Sequence, residues 1–268
     1  MDTDWLEKNV NQVKVIDCSW HMPAENRNAE EEFNNEHIPN AIFFDLDKNS
    51  KNNTDLPHML PSLDDWNKIV SNLGISKDDQ IIIYDNSNVI SSCRCWYNFI
   101  YFGHDPKLVS VLNGGFRKWK QEGKKISNEV VKFSKTNYSG KELISLVKDK
   151  NKIDLNISEK EFVVIDARSK ERFEGKVPEP RKGLRSGSIK NSFCIPFRNC
   201  INHDKTFKKR DELVDVFKSC LENINKENIV FSCGSGVTAC VLALAYSLIN
   251  DKYQPCIYDG SWAEYGII

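Results

Sequence analysis

The stretch Ile229-Val230-Phe231-Ser232-Cys233-Gly234-Ser235-Gly236-Val237-Thr238-Ala239-Cys240-Val241-Leu242 decides how this chain is read. Its first four residues suit a strand buried on both faces, as in a parallel sheet covered by helices. The glycine-spaced segment that follows makes a turn, and from Val237 onward the sequence is apolar nearly all round, which predicts a buried helix. A strand–loop–helix junction of this kind points several backbone N–H groups at one small volume, beside the positive end of a helix dipole. A thiolate at Cys233 is stabilised there and becomes a stronger candidate nucleophile at neutral pH. Gly234 and Gly236 allow the backbone angles of a tight cradle and leave room for a substrate.

Ile229 to Asn250 carries no charge, so it must also be tested as a membrane span. Ser232 to Gly236 interrupts it, and the run Val237 to Ile249 is thirteen residues, short of the roughly 20 that cross a bilayer. Strand, loop and buried helix remain the better reading. The whole chain has 268 residues, 40% apolar and 28% charged, ordinary values for a globular chain of about two domains. Thirty-seven basic residues against thirty-eight acidic ones leave a net charge of -1, without the basic surplus of a nucleic-acid binder. Neither nucleic acid nor membrane is expected as a partner. Nine cysteines, an odd number with no CxxC pair, form neither a disulfide framework nor a metal-ligand pattern. No metal is expected, and free thiols point to reducing cytosol. The acidic start Met1-Asp2-Thr3-Asp4-Trp5 resembles neither a signal peptide nor an Arg-rich transit peptide, so a cytoplasmic location is expected, with a mitochondrial pool left open.

Working outward, the landmarks around Cys233 occur twice. Val13-Lys14-Val15-Ile16-Asp17 is answered by Phe162-Val163-Val164-Ile165-Asp166, and Gln80 to Asp85 by Asn228 to Cys233. His37-Ile38-Pro39-Asn40-Ala41 is answered by Ser188-Ile189-Lys190-Asn191-Ser192, and Leu112 to Phe116 by Tyr258 to Trp262. Four landmarks in one order at nearly one offset indicate a duplicated domain. Each copy alternates short apolar runs with helical patterns, which predicts an α/β unit with a mainly parallel sheet and helices on both faces. The expected organisation is a domain over 1–133, a Lys/Asn/Ser-rich linker at 134–140, and a second domain over 141–268. Aspartate at 85 occupies the position of Cys233, so the first copy is expected to be catalytically silent. Cys93 and Cys95 fall in the helix after that loop. Cys18, Cys194, Cys220, Cys240 and Cys256 read as inert buried thiols.

The chemistry of Cys233 is narrowed by its neighbours. A cysteine cradle for phosphate needs an arginine six residues on, and that position is Ala239. The five histidines stand in no protease signature. Cys233 to Ala239 does resemble the active-site loop of the mercaptopyruvate sulfurtransferases, relatives of rhodanese built from two tandem rhodanese-like domains. The resemblance covers nearly the whole chain. Asp166-Ala167-Arg168, Arg172-Phe173, Pro178-Glu179-Pro180-Arg181, Ser188-Ile189 with Pro196-Phe197, and Tyr258 to Trp262 follow the family's order. Phe43 to Asp47, His58-Met59-Leu60-Pro61 and Gly114-Gly115 do so in the first half. Val177 and Lys190 depart from the common pattern at positions remote from the proposed chemistry.

The resemblance implies a two-step sulfur transfer with no cofactor. Cys233 takes sulfur from 3-mercaptopyruvate as a persulfide, and an acceptor thiol such as thioredoxin, or cyanide, removes it. It implies that the loop around Gly234, Gly236, Val237 and Thr238 cradles the substrate, and that Arg172 and Arg181 bind its carboxylate and keto oxygens. It also implies a proton relay of Ser235, His58 and Asp47. Two alternatives stand beside this reading: a thiosulfate:cyanide sulfurtransferase (rhodanese), or a non-catalytic rhodanese-like scaffold. Neutral Gly234 and Ser235 after the cysteine favour the singly charged donor over the thiosulfate dianion, with Arg172 and Arg181 expected at a distance from the sulfur.

Overall fold

The short apolar runs form strands because each is bounded by polar turn residues and is rich in Val and Ile. In the computed structural model, which describes residues 1–223 and 226–268, they are β1 (Lys14–Asp17), β2 (Ala41–Phe43), β3 (Ile81–Tyr84), β4 (Val109–Val111), β5 (Val147–Lys148), β6 (Val163–Asp166), β7 (Phe193–Cys194), β8 (Ile229–Ser232) and β9 (Ile257–Tyr258). They make a four-stranded sheet in the order β2-β1-β3-β4 and a five-stranded sheet in the order β5-β9-β8-β6-β7, parallel throughout. The fold is α/β, as expected.

The chain divides into two units, one of Met1–Asn52, Leu60–Leu143 and His203–Thr206, the other of Asn53–Met59, Ile144–Asn202 and Phe207–Ile268. The first carries α1 (Thr3–Asn9), α2 (Ala29–Asn35), α3 (Leu63–Asn72), α4 (Ser92–Tyr101) and α5 (Gly115–Gln121). Ser62 caps α3 by accepting the Asp65 N–H, with Asp64 and Asp65 in the first turn facing the helix dipole. On one side of the sheet Val15 and Ile82 pack with Leu6, Phe33, Phe116 and Trp119 of the helices. Trp66 of α3 meets Phe99 of α4 edge-on and stacks on Phe102. The stretch read as a linker lies along this unit. Thr136 N–H bonds Ser71, Gly140 N–H bonds Asn67, and Tyr138 is 4% exposed. Its Lys- and Ser-rich composition describes an outward face and leaves these backbone contacts unannounced.

The second unit carries α6 (Lys150–Glu159), α7 (Lys170–Phe173), α8 (Arg210–Lys218), α9 (Val237–Ser247) and α10 (Ser261–Tyr265). Residues 144–146 form a 3-10 turn that leads into β5. Val164 and Val230 face Ile153, Ile189 and Trp262 on one side of the sheet. Phe231 points the other way, into an edge-to-face cluster with Phe217 of α8 and Tyr246 of α9. This two-sided burial explains why β8 reads as a continuous apolar run. No helix among the described residues is long and apolar enough to cross a membrane.

Candidate active site

Cys233 follows β8 directly and is 2% exposed. The pairing of Asp166 with Ser232 brings it out at the carboxyl edge of the sheet, where loops from neighbouring strands converge. The loop is tied down from the start of α10. Cys233 N–H donates to Ser261 Oγ (3.1 Å), Trp262 N–H donates to Cys233 C=O (2.9 Å), and Ala263 N–H donates to Gly234 C=O (2.9 Å). Ser261 is held at φ 49° and in turn donates its hydroxyl to Tyr258 C=O (2.8 Å). Gly236 at φ 77° turns the chain into α9, a conformation that costs glycine little. The N–H groups of Val237 and Thr238 lie in the first turn, where a helix offers no internal acceptors and its dipole favours negative charge.

Two cations converge on this loop. A Cβ placed on Gly234 would stand 3.3 Å from Arg172 Nη2 and 3.6 Å from Arg181 Nη1. Glycine at 234 therefore keeps open the volume that both guanidinium groups face. Arg181 Nη2 donates to Ser235 Oγ at 3.4 Å, and His58 Nδ1 lies 2.9 Å from the same oxygen. His58 is 4% exposed and sits at φ 60°. A β-carbon is disfavoured there, so the surroundings hold the ring against a local cost. The loop is neutral along the chain but cationic in space, with both guanidinium groups within 4 Å of where a Gly234 Cβ would stand.

Behind Arg172 is a charge lattice that sequence reasoning missed. Glu179, with 1% of its side chain exposed, accepts from Arg172 Nη2 (2.5 Å) and Nε (3.2 Å) and from Arg168 Nη1 (2.8 Å). Arg168 also donates to Asp166 through Nε and Nη2 and to Gly187 C=O, with its guanidinium 4.3 Å over the Trp262 ring. The fork of Arg172 is therefore oriented by a buried carboxylate rather than left to solvent. A glutamate between two prolines gave no local signal of burial. Ser261 left a fainter trace, because the first copy has Gly115 at that position, where a Cβ would stand 2.4 Å from Asp85 C=O.

The remaining predicted residues fall as follows. Asp47 belongs to the first unit, where it accepts the Trp20 indole N–H at 2.9 Å. Asp85 follows β3 as Cys233 follows β8, but its carboxylate accepts the N–H groups of Ser87 (2.8 Å) and Ser92 (3.0 Å). Cys93 and Cys95 are fully buried in α4. All nine cysteines are free thiols. Burial pushes Cys194, Cys200 and Cys256 up to about 12 and Cys220 up to about 11, which suits inert side chains. Among the described residues no group of His, Cys, Asp and Glu could hold a metal ion.

A buried cysteine at a strand–loop–helix junction, with two guanidinium groups against the glycine that follows it, on a duplicated parallel-sheet unit, defines a class of α/β proteins. The chain belongs to one family of that class: the rhodanese-like domain matches residues 2–122 and again 149–267. It is 38% identical to thiosulfate/3-mercaptopyruvate sulfurtransferase 2 of Arabidopsis thaliana, over 99% of this chain and 83% of that one. Identity to the 3-mercaptopyruvate sulfurtransferase of Mus musculus is 36%, over 94% and 84%. Identity to the thiosulfate sulfurtransferase of Rattus norvegicus is 34%, over 99% and 91%. Among solved structures, SseA of Escherichia coli, titled a 3-mercaptopyruvate sulfotransferase, superposes with a TM-score of 0.86 at 31% identity over 98% of both chains. Tum1 of Saccharomyces cerevisiae gives 0.89 at 27% identity, over 99% of this chain and 93% of that one. The protein is a sulfurtransferase.

Proposed function

We propose that this sulfurtransferase takes its sulfur from 3-mercaptopyruvate and carries it as a persulfide on Cys233. The carrying observation is the convergence of Arg172 and Arg181 on Gly234, next to Cys233. Two forks suit a small α-keto acid, one meeting the carboxylate and the other the keto oxygen. Cys233 thiolate attacks the donor sulfur. The S–S bond forms, the C–S bond breaks, and its electron pair leaves as the enolate of pyruvate, which takes a proton. Ser235 Oγ, bridged to His58 Nδ1, delivers that proton in this reading. An acceptor thiolate, such as that of thioredoxin, then attacks the outer sulfur and returns Cys233 as thiolate. The backbone of Gly234, Gly236, Val237 and Thr238 and the positive end of α9 serve both anionic forms, so no cofactor is needed. The first unit, with Asp85, takes no part in carrying sulfur. We place the protein in a reducing compartment, cytoplasm or mitochondrial matrix.

A second donor has a specific observation in its favour. Guanidinium groups this close to the loop can also meet the dianion thiosulfate, which weakens the argument from the neutral residues alone. A donor panel decides between them, with pyruvate release and protein mass followed together. We expect one added sulfur on Cys233, pyruvate released in step, and a higher specificity constant for 3-mercaptopyruvate than for thiosulfate. Cys233→Ser should abolish both signals, while Cys93→Ser and Cys95→Ser keep them. Sulfur on Cys93, or turnover by Cys233→Ser, would sink the assignment; preference for thiosulfate would replace the donor. A protein that gains no sulfur from any donor would be a scaffold.

A further inference from the structure

The two units can be superimposed residue by residue at one place where they differ in chemistry. Ser19 N–H donates to Asp17 Oδ1 (2.8 Å) as Arg168 N–H donates to Asp166 Oδ1 (2.9 Å). Phe116 N–H donates to Asp85 C=O as Trp262 N–H donates to Cys233 C=O, both at 2.9 Å. Asn40 and Asn191 both sit at φ 63°, which aligns Glu36 with Gly187. Asp17, Ser19, Phe116 and Glu36 thus stand where Asp166, Arg168, Trp262 and Gly187 stand in the second unit. Those second-unit positions surround a guanidinium group, that of Arg168, with a carboxylate, a carbonyl and an aromatic face. In the first unit Ser19 is too short to reach there, and the same positions line a cavity of about 310 Å³.

The cavity retains the recognition groups; Lys120 Nζ lies 5.7 Å from the Phe116 ring centroid, paired with Glu36 and not with Asp17. Asp17 is 3% exposed, and its carboxyl meets neutral donors, the N–H and hydroxyl of Ser19 and the Tyr84 hydroxyl, with the like charge of Asp85 nearby. Among the described residues no cation pairs with it. Arg27, which also lines the cavity, is committed to Glu32 through Nε (2.7 Å) and Nη2 (2.6 Å), and Glu36 is taken by Lys120. One carboxylate is left uncompensated beside the Phe116 ring, and a buried carboxylate without a counter-charge is costly. We propose that this cavity binds a guanidinium group supplied from outside the chain, seated between Asp17 and Phe116 where the second unit seats Arg168. Burial pushes the Asp17 carboxyl up to about 7, and a bound cation would bring it back down. The planar fork matches a carboxylate bidentately and stacks on an aromatic face, which a compact ammonium does less well.

The test titrates the full-length protein with methylguanidinium, using methylammonium at equal ionic strength as the control, and follows the Asp17 carboxyl by carbon-13 NMR alongside calorimetry. Saturable methylguanidinium binding, at least about tenfold tighter than methylammonium, with a lowered Asp17 titration, is the expected result. Ser19→Arg places the guanidinium on the chain itself and should abolish binding while raising the melting temperature. Asp17→Asn should weaken binding by about tenfold or more and keeps the question answerable if Ser19→Arg misfolds. Agmatine and a blocked Gly-Arg-Gly peptide separate the two sources: tighter agmatine binding identifies a free small molecule, tighter peptide binding an arginine of a partner protein. Equal binding of methylammonium, no saturable binding, or unchanged binding in Asp17→Asn would overturn the proposal. None of these readouts depends on sulfur transfer.

Discussion

Replacing Glu179 by Gln removes one charge from a buried lattice while leaving its volume nearly unchanged. Glu179 and Arg168 each expose 1% of their side chains and Asp166 2%, whereas Arg172 exposes 22%. Removing one member of a buried ion pair costs about 3–5 kcal/mol, because the remaining charge stays desolvated. Arg168 keeps Asp166, and Arg172 can turn part of its fork to water. The low end of that range therefore applies, about 3 kcal/mol. For a unit of this size that lowers the melting temperature by roughly 10 °C, read by calorimetry on the transition that contains α9. A second effect falls on catalysis. Arg172 loses one of the two acceptors that aim its fork, because the amide nitrogen cannot accept, so the KM for 3-mercaptopyruvate should rise by about tenfold or more, the equivalent of one charged hydrogen bond, with kcat changed less. A melting temperature within about 2 °C of the parent, together with an unaltered KM, would refute the view that Glu179 orients the arginines.

Gly234→Ala should cost activity without costing stability, because its methyl would meet the far ends of Arg172 and Arg181 rather than backbone. The expected outcome is a melting change within about 0.5 kcal/mol and a donor specificity constant down by about tenfold. Arg181→Ala removes the donor that reaches Ser235, and donor use should weaken by roughly 1.5–3 kcal/mol with little change in melting. Asp17→Asn tests the uncompensated carboxylate of the first unit through pH. The folded carboxyl, at about 7, holds its proton more tightly than the unfolded one near 3.8. Stability contributed by this group is therefore present at pH 4 and lost as pH rises toward 7, by an amount on the order of 4 kcal/mol. Denaturant unfolding from pH 4 to pH 8 should show that decline in the parent and a flatter profile in Asp17→Asn; parallel profiles would show that Asp17 ionises without cost.

What could be read from residues alone was whatever depends on neighbours along the chain. The apolar run Ile229–Phe231 announces a two-sided strand, Gly236 a left-handed turn, and Val237 to Ser247 a buried helix, because these follow from local burial and backbone freedom. Repetition of such local patterns was enough to disclose a duplicated α/β unit. Position 85 against 233 showed which copy has the thiol. What the tertiary structure alone decided depends on residues far apart in sequence meeting in space. His58 reaches Ser235 across 177 positions, and Ser261 reaches Cys233 across 28. The neutral Gly234-Ser235 pair turns out to face Arg172 and Arg181, since charge acts through distance and not through chain order. Glu179, exposed by any reading of its Pro-Glu-Pro setting, is buried because two arginines surround it. Ser19 looks unremarkable until its counterpart is seen to be an arginine packed on an aromatic ring, and only the folded units show the cavity its short side chain leaves.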